Sequence, residues 1–430
     1  MAEPILTDYD LVVLGGGIFG LASAYHILRQ NQKLHVLVID KEGDVGQGNT
    51  AKSAGGFRAG LFTSEANRVL SDTSVDFYTY VQEKRGVDLG LEFAGYLIIL
   101  SPREFEIDEP VIQLFQKEKK VRVLKSEELR EKLKMNVNFT GDEEARILGV
   151  HDVKVGLLGF KCGHLQADKL ASFYKKEILN MGGDFMFNTR VERLVLGAEK
   201  PLNIPREPRV WQRKEVASVI TDRGTIGADS VVMALGAWTA QLLDPLGIDC
   251  MAKPKKRQLF VVKPDTEDLQ ALFHTEGMNQ YNVIPMTFIA GGPYFKADRS
   301  EKTFWIAMAD DLGRGFGLDD NAEDNYYYDS IHPVLSKYFP QFQNVRPINK
   351  WAGSYHVNSL DGNPVIFREV NMIVACGGSG TGIIKGDAVG RIVAALHSGD
   401  NQARLFGDLP FDTQKLSISN RNVERERFIF

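Results

Sequence analysis

Three glycines at fixed spacing, Gly15, Gly17 and Gly20, stand between an apolar run and a helical one in DLVVLGGGIFGLASAYHILR. That spacing suits a nucleotide phosphate. The first glycine permits a tight turn, the second lets backbone approach a pyrophosphate, and the third lets helix and strand pack closely. The free N–H groups at the helix start, from Ile18 and Phe19 onward, then face the anion. Asp40 ends the next apolar run, LHVLVID, where a carboxylate can accept both hydroxyls of a ribose, and Lys41 follows it. Strand, glycines, helix, strand and acid in this order mark a dinucleotide site, with NAD and FAD still level.

The segment after the acid separates them. GDVGQGNTAKSAGGFRAG, residues 43–60, is a long loop of small residues that includes Gly48, Ser53, Ala54, Gly55 and Gly56. NAD folds usually pass straight into another helix here, whereas a loop of small residues suits close passage of a ring system. As an ordinary loop it would be only a flexible surface connection. The context favours FAD.

These motifs need elements to hold them. At 430 residues, 43% hydrophobic and 25% charged, the chain is ordinary globular material and long enough for two domains. Its 51 basic against 56 acidic residues leave a net charge of −5, which argues against a nucleic-acid groove. Cys162, Cys250 and Cys376 are far apart and form no metal-ligand spacing, so no metal is expected, and reduced, buried thiols point to the cytoplasm. MAEPILTDYD has no basic start, unlike a signal peptide, and the glycines and His26 within the apolar run 11–28 count against a membrane span.

Five separated segments together resemble the FAD-dependent amine and amino-acid oxidoreductases of the D-amino-acid oxidase superfamily. They are residues 12–28, the loop with SAGG, HLQADKLASFY at 164–174, VVMALGAWT at 231–239, and the C-terminal pair WAGSYHVNSLDGNPVIF and ACGGSGTGIIKGDAVGRIVAAL. Within that superfamily the chain is similar to the sarcosine oxidase, glycine oxidase and dye-linked L-proline dehydrogenase branch. The fold implied is α/β: a Rossmann-like FAD-binding domain of the glutathione-reductase type, discontinuous in sequence, with a second, antiparallel-sheet substrate domain. Residues 1–88, 155–240 and 350–430 are expected in the first, and 89–154 and 241–349 in the second.

Each segment also has a local reading. Residues 164–174 should form a helix against the central sheet, and GGDFMFNTRVERLVL one alternating strand. The resemblance adds that Val191 touches the adenine. DSVVMALGAW is a buried strand ending where Ala234, Gly236 and Trp238 can run against the cofactor. NMIVACGGSGTG repeats strand then glycines before an amphipathic helix ending at Gly399. The resemblance sets this loop beside the flavin ring, so Gly378, Gly380, Thr381, Gly382 and Ile383 become flavin contacts; a helix N-terminus there would stabilise the negative charge of reduced flavin. FQKEKKVRVLKSEELREKLKM should be charged helix on the outside, NIPREPRVWQRKEVAS an exposed hairpin, and NRNVERERFIF a solvated tail docking through Phe428 to Phe430.

The resemblance likewise supplies the candidates for chemistry. Arg58 matches a substrate-carboxylate arginine, and a structural salt bridge is the competing role. Tyr355 matches a position held by arginine or tyrosine, with His356 facing the opposite way. Lys385 lies one position after a lysine of some sarcosine oxidases. Tyr281, Tyr294 and Trp305, on predicted strands, could wall the pocket or fill the core. No cysteine stands near Trp351 to Tyr355, so FAD should be non-covalent; EKTFWIAMA lacks the oxygen-activating lysine of the oxidase branch, which points to a dehydrogenase.

The function implied is oxidation of a secondary amine or amino acid, such as L-proline or sarcosine, by hydride transfer to flavin N5. Electrons would pass to a dye in an assay and to a quinone or electron-transfer partner in the cell. The alternatives are a 2-hydroxy-acid dehydrogenase and a flavin-binding subunit of a multi-subunit dehydrogenase. Peripheral contact with the inner face of a membrane and self-association to a homo-oligomer stay open.

Overall fold

The structure, a computed structural model, describes residues 5–289, 291–310 and 312–427. Two eight-stranded sheets carry the chain. In the first, the parallel strands Met372–Cys376, Gly224–Met233, Ile5–Leu14, Val36–Ile39 and Asp184–Met186 lie side by side in that order. Antiparallel additions, Val365–Glu369 on one edge and the Lys214–Thr221 and Val191–Ala198 hairpin off Gly224–Met233, complete it. The apolar stretch Leu11–Leu14 is fully buried because helices cover one face and the hairpin the other.

Helices Ile18–Gln30 and Gly386–Ser398 pack on this sheet in close mutual contact. Gly390 makes that approach possible: a Cβ there would lie 2.5 Å from the Ala22 carbonyl carbon. Val389, Ile392 and Val393 are fully buried at the interface, each contributing roughly 1.5–3 kcal/mol.

The second sheet runs Pro347–Val357, Lys253–Val262, Thr303–Met308, Pro293–Asp298, Met286–Ile289, Tyr96–Leu100, Val155–Gly159 and Val121–Lys125. It is antiparallel except where Met286–Ile289 meets Tyr96–Leu100. Val155–Gly159 and Pro347–Val357 thus pair in the second sheet, although both fall wholly or mostly in segments expected to hold flavin motifs.

Several local expectations need correction. His164 belongs to a short strand, Cys162–His164, paired with Gly56–Arg58, and the helix starts at Ala167. Residues 182–196 form two strands, broken where Asn188 N–H and Thr189 N–H donate to the carbonyls of Glu42 and Asp40. VRVLK within the expected charged helix is the edge strand of the second sheet. Tyr281 sits in a turn, under the Arg299 guanidinium.

The hairpin reading of 203–218 fits, with Val210 and Trp211 exposed at its tip. One residue of the tail leaves solvent: Glu426 is 3% exposed, its carboxylate bound to Thr63 and Ser64 at the start of helix Glu65–Arg85. Docking through Phe428 to Phe430 lies outside the described residues. No helix among the described residues is long and apolar enough to cross a membrane.

Candidate active site

The turn after the first strand is built as its spacing demands. Gly15 has φ +104°, and a Cβ there would sit 2.5 Å from the Ala234 carbonyl oxygen; one on Gly20 would sit 1.9 Å from the Gly15 carbonyl oxygen. Helix Ile18–Gln30 begins with no side-chain cap on Gly17, while the Ile18 N–H donates to Thr50 Oγ1 at 3.1 Å. Asp40 accepts from the Gly16 and Glu42 N–H groups at 2.6 and 2.9 Å. Burial raises its pKa against those bonds.

From this turn a cavity of about 430 Å³ extends between the two sheets. Gly15, Gly17 and Ile18 form its middle. Asp40, Lys41, Val191, Gly236 and Trp238 line one end, with the Lys41 ammonium 4.0 Å over the Trp238 ring. Towards the other lie Phe19, Gly48, Ser53, Ala54, Ala234, Gly378, Gly380, Gly382, Ile383 and Tyr355. Gly380, at φ +77°, leaves room for Tyr355: a Cβ would meet that ring at 2.5 Å. Six expected residues lie off the wall: Gly20, Gly55, Gly56, Thr381, Arg58 and Lys385. Gly55 and Gly56 serve packing, since a Cβ on Gly55 would strike the Leu165 carbonyl oxygen and one on Gly56 the Tyr96 hydroxyl.

The glycine-rich loop is clamped rather than loose. Trp351 Nε1 donates to the Lys52 carbonyl at 3.0 Å, the Ser354 N–H donates to Asn49 Oδ1 at 2.8 Å, and Gly46 N–H donates to the Gly16 carbonyl at 2.8 Å. Strand Pro347–Val357 therefore fastens the second sheet to the first.

Tyr355, Tyr294, Trp351 and Arg257 close the end opposite Asp40. Burial first, then the charge of Tyr355, pushes the Tyr294 phenol well above its usual pKa. Arg257 sits 5.4 Å from the Tyr355 ring centroid, its Nη1 donating to the carbonyls of Lys256 and Asp310. Sequence reasoning missed Arg257, which no motif flags. Trp305 stands one layer back, edge-on to Trp351, and Lys296 lies 3.9 Å over it, buried and 3.6 Å from Asp298.

Arg58 and Lys385 do come together, but behind the wall. Both face the Phe62 ring, at 4.2 and 5.3 Å. Arg58 Nη1 donates to the Leu61 carbonyl at 3.1 Å. Glu426 opposes them, its carboxylate accepting from the Thr63 and Ser64 N–H groups at 3.0 and 3.1 Å. Burial pushes Glu426 up, yet the attraction of Arg58 and those bonds hold it below the usual carboxylate range. Burial and the Arg58 charge bring Lys385 down to about 7.

A second correction concerns the cysteines. Cys250 and Cys376 meet, and with His356 their ligand atoms lie within 4.8 Å of one another.

The cavity's chemistry fits FAD. The start of helix Ile18–Gln30 opens on the cavity, Asp40 lies at one end, and Gly48 and Gly236 open onto space that a side chain would fill. The family model described as "FAD dependent oxidoreductase" (DAO) matches residues 10–396. The chain belongs to the DAO family of FAD-dependent oxidoreductases. Among relatives, it is 25% identical to FAD-dependent oxidoreductase domain-containing protein 1 of Bos taurus, over 90% of this chain and 80% of that one. L-proline dehydrogenase from P. horikoshii shares the fold at TM-score 0.70 and 22% identity, covering 93% of this chain and 95% of that one. Glycine oxidase from Geobacillus kaustophilus does so at TM-score 0.71 and 18% identity, covering 91% and 95%. This DAO chain thus has the two-layer architecture expected of it: a mixed, largely parallel flavin sheet and a mostly antiparallel second one.

Proposed function

We propose that this chain binds FAD non-covalently and oxidises a carboxylate-bearing secondary amine or amino acid, with L-proline and sarcosine as the first substrates to try. When bound, FAD supplies the two-electron acceptor, taking a hydride from the carbon that bears nitrogen. Gly15, Gly17 and the start of helix Ile18–Gln30 would hold the pyrophosphate, Asp40 the ribose, and Val191, Lys41 and Trp238 the adenine. Phe19, Gly48, Ser53, Ala54 and the Gly378–Ile383 loop would flank the ring system.

The observation that carries the substrate class is the far chamber, where one arginine, two tyrosines and a tryptophan surround a cavity end. Arg257 would take the substrate carboxylate as a fork donor. Tyr355 and Tyr294 offer hydroxyl donors and an apolar wall that limits water. Arg58 and Lys385 instead set the charge behind the ring. Trp305 on strand Thr303–Met308 and the paired, buried Lys296 give oxygen no wall ammonium from these two strands, which supports electron delivery to a quinone or an electron-transfer protein.

Anaerobic addition of L-proline, sarcosine or another N-alkyl amino acid to the purified yellow protein should bleach the flavin band near about 450 nm. Turnover should follow with an artificial dye and be far slower with oxygen. Bleaching by a 2-hydroxy acid and by no amine would replace the amine reading. No bleaching by either would leave the chain a flavin-binding subunit.

A further inference from the structure

Under the glycine loop Gly377–Gly382, on the face of the first sheet away from its long helices, Cys250, Cys376 and His356 form a buried group. They arrive from three elements: the turn before strand Lys253–Val262, the end of strand Met372–Cys376, and strand Pro347–Val357. Cys376 and His356 reach the cavity wall beside Gly377 and Gly378, and Cys250 lies directly behind them. Two thiols and an imidazole could be a metal site or a redox pair.

Hydrogen bonding to the imidazole decides between them. The Gly377 N–H donates to His356 Nδ1 at 3.3 Å, so Nδ1 carries the lone pair and Nε2 the proton. Nε2 lies 3.9 Å from Cys250 Sγ and thus donates to sulfur. A metal at Nε2 would require the opposite tautomer, with an Nδ1 proton forced against the Gly377 N–H. The sulfurs are also inequivalent. The hydrogen bond from Cys376, and then His356, hold the Cys250 thiol down to about 5 against its burial. The same contact and burial push Cys376 up. Cys250 Sγ donates to the Ala252 carbonyl at 3.4 Å and Cys376 Sγ to the Cys250 carbonyl at 3.6 Å, so two unequal thiols lie within 4.8 Å of each other, the arrangement of a pair that can close.

We propose that Cys250 and Cys376 are a redox-active pair that opens and closes as a disulfide in two-electron exchange with the flavin bound in the adjoining cavity. This rests on the FAD reading above. Closing forms one S–S bond as the S–H bonds of Cys250 and Cys376 break. The two electrons and the two thiol protons pass to the oxidised flavin. Opening reverses each transfer. The pair would let one polypeptide store the electrons of a second turnover while its acceptor is away. Cys162, buried in a different cluster beside Tyr96, is the internal control.

Holoprotein should be acid-quenched, denatured with an alkylating agent and read by peptide mass spectrometry. As the oxidised protein, it should show Cys162 alkylated and a Cys250–Cys376 cross-link. After anaerobic dithionite reduction, all three cysteines should be alkylated. Dithionite titration should consume about four electrons per flavin in the natural chain and about two in Cys376→Ser or Cys250→Ser, each keeping its visible flavin spectrum. Three free thiols in both states, or two electrons per flavin in the natural chain, would overturn the proposal. So would one equivalent of zinc retained by the natural chain and lost from Cys250→Ser. Should both serine variants fail to fold, alkylation of the natural chain still decides. A chain that takes up no flavin shows no visible band, and that failure of the FAD reading is distinct from a yellow protein whose thiols never close.

Discussion

Arg58, buried, and Arg257, half-buried, lie near the same end of one cavity, yet their surroundings differ. Arg58 stands behind the wall, over Phe62, beside Lys385 and facing the carboxylate of Glu426. Arg257 stands on the wall, over Tyr355, held by main-chain carbonyls with the Asp310 carboxylate 3.7 Å away. An arginine matched to an internal anion secures a fold. One that lines the cavity is within reach of a ligand there.

Four variants would break or sharpen that contrast. The largest effect should come from Arg58→Ala, which removes the buried guanidinium whose charge holds Glu426 down: stability in urea should fall by about 3–5 kcal/mol. If stability holds and only KM rises, the two arginines have been assigned the wrong way round. Arg257→Ala should keep the flavin spectrum and the melting temperature while raising KM for an amino-acid substrate about 100-fold, the cost of an unpaired buried carboxylate. An unchanged KM would remove Arg257 from substrate binding.

Lys385→Met should come next. Lys385 has a folded pKa of about 7, below its ordinary value of 10.5, so the unfolded chain binds more protons between those pH values. The natural chain therefore loses stability as pH falls across that window. The variant should melt higher at pH about 6 than the natural chain by roughly 3 °C, with the gap closing as pH rises well above about 7.

Smallest is Glu426→Gln. The Glu426 pKa lies below its unfolded value of 4.5, so its stabilisation is present above that value and is lost as pH falls through the lower folded pKa. Protease access to residues 420–427 should rise below pH about 4 in the natural chain. In the glutamine variant it should be higher at neutral pH and change little with acid.

What could be read from sequence was what spacing encodes locally. The turn Gly15–Gly20 depends on backbone contacts between near neighbours, such as the Gly20 approach to the Gly15 carbonyl, so its pattern survives in one dimension. Asp40 and the Gly377–Gly382 loop follow strands and were legible for the same reason. Arg58 was legible as a type, but its side-chain direction depends on the pairing of Gly56–Arg58 with Cys162–His164, two strands far apart in sequence. Arg257 and the thiol pair carry no local signal. Only the docking of the second sheet through Pro347–Val357 brings Arg257 to Tyr355 and Cys250 to His356. The break at Asn188 was hidden too, because alternation of apolar residues runs straight across it.

Strand Pro347–Val357 has a consequence for how such a protein could change over time. Consecutive residues of one strand, Tyr355 and His356, serve opposite sides of the cavity floor, one meeting Arg257 and the other Cys250. A single-residue insertion or deletion upstream that slipped the ladder by one place would send each side chain to the opposite face, the imidazole to the Arg257 side and the phenol to the sulfur side. Drift by substitution can retune either side alone, but a change in strand length alters both at once.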